Sequence, residues 1–211
     1  MSTRVKICGI TNLVDAQAAI EAGADALGFI FHAQSPRYVT VEQATEIAKL
    51  IPPFIMRVGV FVDAPEAFIQ RAISGAGLAM LQFHGDEAPE ACLRYGLMSM
   101  KAFRMKDEST LAQIPKYPTD AYLLDAYSPT APGGTGHTFN WDLALEAQKF
   151  GKPIFLSGGL TPENVAEAIH KVDPFGVDVS SGVESSPGKK DHRKIRAFIA
   201  AAKEMGTKAK G

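Results

Sequence analysis

Apolar and polar positions fall into repeating blocks along this chain. Eight short, nearly continuous apolar runs stand out, at 5–10, 26–31, 56–62, 80–84, 98–103, 121–126, 153–157 and 176–180. Runs of this length that are apolar on both faces read as strands of a parallel sheet covered on both sides. Helical patterns fill the gaps. Thr40 and Gln43 form a capping box, after which Val41, Ala44, Ala48 and Ile51 make one apolar stripe. Asn12 can cap a helix with Leu13, Ala16 and Ile20 inward and Gly23 at its end. Thr161 before Pro162 reads as an N-cap with proline at the first helical position, with Val165, Ala168 and Ile169 on the buried face. Further helices are expected over 65–73, 87–95, 107–114, 141–150 and 190–204. The alternation predicts an α/β protein, either a closed (β/α)8 barrel of eight parallel strands or an open doubly wound sheet.

Length narrows this picture. The chain has 211 residues and no Pro/Gly/Ser linker, so one domain is expected over 1–204, followed by a polar tail over 205–211. A barrel of ~200 residues sits near the lower size limit of its class. The 22 basic and 23 acidic side chains give a net charge of −1, which excludes a polybasic nucleic-acid binder. Apolar residues at 46% exclude a disordered chain. The apolar runs are too short to span a bilayer, and the first residues carry no signal-peptide pattern. Two cysteines, Cys8 and Cys92, make neither a disulfide framework nor a zinc site. The expectation is a cytoplasmic protein with neither a nucleic-acid nor a membrane partner.

Polar residues inside the predicted strands carry the candidate chemistry. Side chains alternate faces along a strand. Lys6 and Cys8 oppose Val5 and Ile7; Gln82 and His84 share a face with Met80; Asp125 shares one with Leu123; Asp178 and Ser180 oppose Val177 and Val179. If the apolar faces pack on helices, the polar ones point into the barrel. Cys8, His84, Asp125 and Ser180 lie nearest the C-terminal strand ends, where barrel active sites gather. Each has a plainer reading: Cys8 as a small buried hydrophobe, Asp125 as a turn cap, His84 as a loop anchor. Lys6 and Asp178 sit on the first and last strands, which adjoin only if the barrel closes, so a buried ion pair is expected. Ser157-Gly158-Gly159 and Ser180-Ser181-Gly182 end the last two strands. Backbone N–H groups there can cradle a phosphate, with a short helix N-terminus expected near 186–190; otherwise the glycines are ordinary turn residues. Gly133–Gly136 lacks the dinucleotide-binding spacing, and the histidines lack metal-ligand spacing.

Taken together these motifs resemble the phosphoribosylanthranilate isomerases of tryptophan biosynthesis. The resemblance runs through VKICGIT (5–11), SPRY (35–38), VGVFV (58–62), QFHGD (82–86), LLD (123–125), GGTG (133–136), LSGGLTPENV (156–165), VDVSSGVE (177–184) and GKKD (188–191). Phe83 stands where many relatives carry an aliphatic residue; it is expected to face outward. The resemblance implies a (β/α)8 barrel that isomerises a small phosphorylated substrate, N-(5′-phosphoribosyl)anthranilate, to 1-(2-carboxyphenylamino)-1-deoxyribulose 5-phosphate. The reaction is an Amadori rearrangement without cofactor or metal, and the protein is expected to be a monomer. The resemblance places the general base on Cys8 and the general acid on Asp125. It places the contact to the anthranilate half on Arg37, across the mouth from the last two strand ends. Phosphate binding falls on Gly158, Gly159, Ser180, Ser181 and Gly182, with His84 also at the substrate. A carboxyl screened from water keeps its proton nearer neutrality, and a thiolate suits the base role if Lys6 lowers the thiol's pKa. Competing readings are another sugar-phosphate barrel, such as a ribulose-phosphate epimerase or an aminoimidazole-carboxamide ribotide isomerase, and a non-catalytic sugar-phosphate binder.

Overall fold

The structure, a computed structural model, describes residues 2–126 and 141–208. The glycine motif at 133–136 and the loop at 128–138 lie outside the described residues. Eight strands alternate with helices: β1 Arg4–Cys8, β2 Ala26–Ile30, β3 Met56–Phe61, β4 Met80–Phe83, β5 Met98–Met105, β6 Ala121–Ala126, β7 Ile154–Ser157 and β8 Gly176–Val179. Each lies where an apolar run predicts it. All pair in parallel, in chain order, and β8 returns to β1, so the sheet closes into a barrel. The closing register sets Lys6 opposite Asp178. The open-sheet alternative is thereby excluded.

Alternation separates two apolar layers. Val5, Ile7, Leu27, Phe29, Leu81, Phe83, Leu124 and Val177 face the helices in the outer core. Ala26, Val58, Met80, Met100, Ala102, Ala121, Leu123 and Phe155 fill the inside of the barrel. Phe83 faces outward as expected and stacks on Tyr95 with ring centroids 6.0 Å apart.

The helices are α1 Leu13–Glu21, α2 Val41–Ala48, α3 Glu66–Ala76, α4 Glu108–Leu111, α5 Trp141–Gln148, α6 Val165–Val172 and α7 His192–Lys208. Asn12 caps α1 through Oδ1, which accepts from Asp15 N at 2.8 Å. The Thr40–Gln43 capping box is formed. Three expectations change. The helix expected over 87–95 shrinks to a 3-10 turn at Pro89–Leu93, squeezed between Pro89 and Gly96, which has φ of 64°. The one expected over 107–114 stops at Leu111 and gives way to a 3-10 turn at Ile114–Lys116, because Pro115 offers no N–H and disfavours the helical region for Ile114. Thr161 and Pro162 form a turn ahead of α6 rather than its first residues; Asn164 precedes the helix and its Oδ1 accepts from Thr161 N at 2.8 Å. The helix α7 continues three residues beyond Met205, into the segment expected as tail. No helix among the described residues is long and apolar enough to cross a membrane.

Two more strands, β9 Glu184–Ser186 and β10 Lys189–Lys190, form a small antiparallel hairpin after β8. The short helix N-terminus expected near 186–190 is therefore not there. Gly188, with φ of 80°, turns the chain back on itself instead. The short helical turn in this region is Ser181–Val183.

Candidate active site

β1 ends in Cys8, β6 carries Asp125 one residue from its end, and His84 follows β4 directly, all at the C-terminal rim. Parallel strands carry their chain ends to one rim, so alternation decides which side chains meet there.

Cys8 is 5% exposed and looks into the barrel. Its partner across the ladder is Gly28. A Cβ at Gly28 would stand 2.8 Å from the Cys8 sulfur and 3.2 Å from Lys6 Cε, so glycine is what leaves the thiol its room. Lys6 Nζ donates to Asp178 Oδ1 at 2.7 Å, with both side chains almost wholly enclosed. The expected buried pair thus exists. Its charge does not leave Cys8 a resting thiolate, however. Burial pushes the thiol's pKa up; Lys6 and Lys190 pull it down, but the Asp178 carboxylate adds to the rise, and the net direction is upward. The other cysteine, Cys92, lies in the outer core, where burial pushes its pKa up to about 11.

Asp125 stands in register with Ser157 of β7. Ser157 Oγ donates to Asp178 Oδ2 at 3.3 Å. Polar groups therefore run around the inner wall from the Asp125 strand to Asp178, Lys6 and Cys8. On the other side, His84 Nε2 faces Asp125 Oδ2 at 3.3 Å. Gln82 Nε2 donates to His84 Nδ1 at 2.9 Å, which leaves Nε2 to carry the hydrogen toward Asp125. Gln82 Oε1 is the buried side-chain polar atom without a protein partner among the described residues.

The two glycine-bearing strand ends meet. Gly158 and Gly159 have φ of 82° and 68°, and Asn164 Nδ2 donates to Gly159 O at 2.9 Å, holding the loop open. Gly182 presses so closely on this loop that any Cβ there would overlap the Leu160 carbonyl oxygen. All five predicted residues, Gly158, Gly159, Ser180, Ser181 and Gly182, are half-buried at the rim. Lys190 Nζ donates to Ser180 O at 3.1 Å and brings a positive charge to this edge.

Arg37 is not across the mouth from these loops. It reaches over β1 and pairs with Glu184, just after β8. Closure makes β8 and β2 the two neighbours of β1, so a side chain from the β2 loop needs to cross only one strand. Ser35 Oγ accepts from Arg37 N at 3.1 Å and shapes the turn that aims it. Glu184 and Lys190 were missed as individual site residues by the sequence reading. They belong to the DVSSGVE and GKKD stretches, and their opposite charges six positions apart were the available signal.

Known proteins of the same kind match this chain along nearly all its length. The N-(5'phosphoribosyl)anthranilate (PRA) isomerase family model matches residues 5–201. The N-(5'-phosphoribosyl)anthranilate isomerase of Geobacter sulfurreducens is 57% identical over 200 residues, covering 95% of this chain and 98% of the relative. The crystal structure of phosphoribosyl anthranilate isomerase from Thermotoga maritima superposes with a TM-score of 0.90 at 45% identity, covering 96% of this chain and 99% of that one. A phosphoribosyl anthranilate isomerase structure in complex with reduced 1-(o-carboxyphenylamino)-1-deoxyribulose 5-phosphate has a TM-score of 0.87 at 43% identity, with coverages of 96% and 99%. The chain belongs to the N-(5'-phosphoribosyl)anthranilate isomerase family.

Proposed function

We infer that the barrel mouth isomerises N-(5′-phosphoribosyl)anthranilate to 1-(2-carboxyphenylamino)-1-deoxyribulose 5-phosphate, a step of tryptophan biosynthesis, with Cys8 as general base and Asp125 as general acid. The observation that carries this reading is the placement of a thiol and a carboxyl on one rim, joined along the inner wall through Ser157, Asp178 and Lys6. Asp125 protonates the furanose ring oxygen, the C1′–O bond breaks, and an iminium ion forms. Cys8, acting in its thiolate form, removes the C2′ proton, and the electron pair moves to the iminium nitrogen to give an enolamine. Tautomerisation of the enolamine gives the ketone. His84, donating to Asp125 from Nε2, orients the acid and stabilises it once its proton has left.

The phosphate sits in the paired loops at Gly158, Gly159, Ser180, Ser181 and Gly182, whose backbone N–H groups and the nearby Lys190 suit an anion. Arg37 takes the carboxylate of the anthranilate ring, since its guanidinium can grip a carboxylate through two hydrogen bonds. Binding at both ends holds the sugar between base and acid. All these groups come from one barrel, so the proposed site needs no residue from a second copy of the chain. The test is direct: phosphoribosylanthranilate is added to the purified protein and loss of its fluorescence is followed. Turnover that disappears in Cys8→Ala and Asp125→Asn supports the reading; a folded wild-type protein without turnover overturns it.

A further inference from the structure

The acid–base pair and the phosphate loops draw only on Lys190 from the hairpin of β9 and β10. Glu184, its first residue, is 7% exposed. Its carboxylate accepts from Arg37 Nε at 2.8 Å and from Arg37 Nη2 at 2.7 Å. Oε1 also accepts from Lys190 Nζ at 2.9 Å, and the Lys190 side chain is fully enclosed. One carboxylate therefore faces two cations, and the cluster carries an excess positive charge. Among the described residues Arg37 Nη1 donates to no protein atom, as both of its side-chain bonds leave from Nε and Nη2. A Cβ at Gly9, the residue after Cys8, would run into the Arg37 stem and the Ser180 hydroxyl, so the cluster lies at the rim beside the thiol.

A guanidinium is a rigid plane with five N–H groups. When one edge is held by two bonds, the orientation of the other edge is settled. The Nη1–Nη2 edge of Arg37 is then a second fork, already oriented and next to uncompensated positive charge. We propose that Glu184 is a positioning residue for substrate recognition: its two-bond grip on one edge of Arg37, braced by Lys190, orients the other edge for the carboxylate of the anthranilate ring. The proposal rests on the reading that Arg37 takes that carboxylate. Its physical content is preorganisation. A long, flexible arginine is ordered when the protein folds, so binding does not have to order it. The hairpin is in turn fastened to the loops it serves. Thr11 Oγ1 donates to Gly188 O at 2.6 Å, and Asp15 Oδ2 accepts from Lys190 N at 2.9 Å.

The experiment compares wild type, Glu184→Gln, Glu184→Asp and Arg37→Lys by steady-state kinetics. It adds calorimetric binding of two ligands, the reduced product and its counterpart lacking the ring carboxylate. Thermal melts verify that each variant is folded; Glu184→Asp keeps the charge that Lys190 needs and serves if Glu184→Gln does not fold. Glu184→Gln is expected to raise KM roughly 10- to 100-fold, the scale of a lost charge-assisted contact, with kcat changed far less. Its affinity for the reduced product should fall toward that for the carboxylate-free ligand, whose own binding should hardly move. Equal weakening of both ligands would mean that Glu184 only supports the fold, and would overturn the proposal. If Arg37→Lys loses the preference for the carboxylate and a folded Glu184 variant keeps it, Glu184 does not position Arg37. If Arg37→Lys keeps the preference, the reading of Arg37 itself falls, and the proposal falls with it.

Discussion

At the scale of single residues, the proposed base and acid sit in different environments. Cys8 is enclosed beside Lys6 and Asp178, while Asp125 keeps a quarter of its side chain exposed beside His84. General acid–base groups each contribute ~10²–10⁴-fold. Cys8→Ala and Asp125→Asn should each lower kcat/KM by about that factor without unfolding the barrel. Cys92→Ala should leave turnover unchanged, because Cys92 packs in the outer core and its sulfur donates to Ala88 O at 3.6 Å, away from the rim. Fluorescence assays of the three variants decide this, and normal turnover in Cys8→Ala would remove the assigned mechanism. Alternation places both Lys6 and Cys8 inside, and the pairing of Lys6 with Asp178 expected from the sequence is what the closed ladder shows.

At the scale of elements, the ends of β7 and β8 make one unit. Their glycines are 23 to 24 residues apart in the chain, yet Gly182 touches the backbone of Leu160. An anion held there binds the folded chain alone, and at a hundred times its Kd adds ~2.7 kcal/mol of stability. In a domain of this size that is a rise of roughly 5–11 °C in Tm. Thermal melts with the phosphorylated product analogue should show the rise, and its dephosphorylated counterpart should show much less. Gly159→Asp brings a negative side chain to the rim and should abolish the difference; a shift that survives it would make these glycines turn residues only. The sequence motif pointed to this pair of loops. It could not show the hairpin that follows, because β9 and β10 have three and two residues, too short for any periodicity. Similarly, Thr161 and Pro162 read as a helix start locally, while Asn164 wins by bonding both to Thr161 and to Gly159.

At the scale of the whole molecule, closure of the barrel and attachment of its last helix rest on buried or half-buried charges. Lys6→Met would leave Asp178 enclosed without its cation, a loss of about 3–5 kcal/mol. Differential scanning calorimetry should show Tm lower by roughly 6–20 °C, and an unchanged Tm would mean that the pair contributes nothing to closure. Asp15 links α1, β10 and α7: it accepts from Lys190 N and His192 Nε2 at 2.9 and 2.8 Å. Asp25 similarly receives Lys203 of α7, Val5 N and Arg4. Burial pushes both carboxyls up, but these hydrogen bonds outweigh it and hold them below the ordinary 3.8 of an aspartate. A carboxyl depressed in the folded state contributes fully above its ordinary pKa, and the contribution is lost as pH falls through the lower folded value. Tm should therefore be flat from about pH 5 upward, as far as these two groups set it, and fall below about pH 4. Asp15→Asn should lower Tm near neutrality and reduce the acid dependence; equal acid dependence in both proteins would assign the loss to other groups.

The order of strands and helices, the two faces of each strand and the family motifs were all set by the sequence alone. Periodicity and capping are local, and nearest neighbours determine them. Only the tertiary structure decided that the sheet closes, that Arg37 lies beside the β8 loop, and that Glu184 is shared by Arg37 and Lys190. Those facts depend on pairs of residues six to 172 positions apart. The direction of the Cys8 shift was likewise decided there. Lys6 sits two residues away in the chain and could be read as an activator. Burial outweighs it, because desolvation depends on everything packed around the thiol and not on one neighbour.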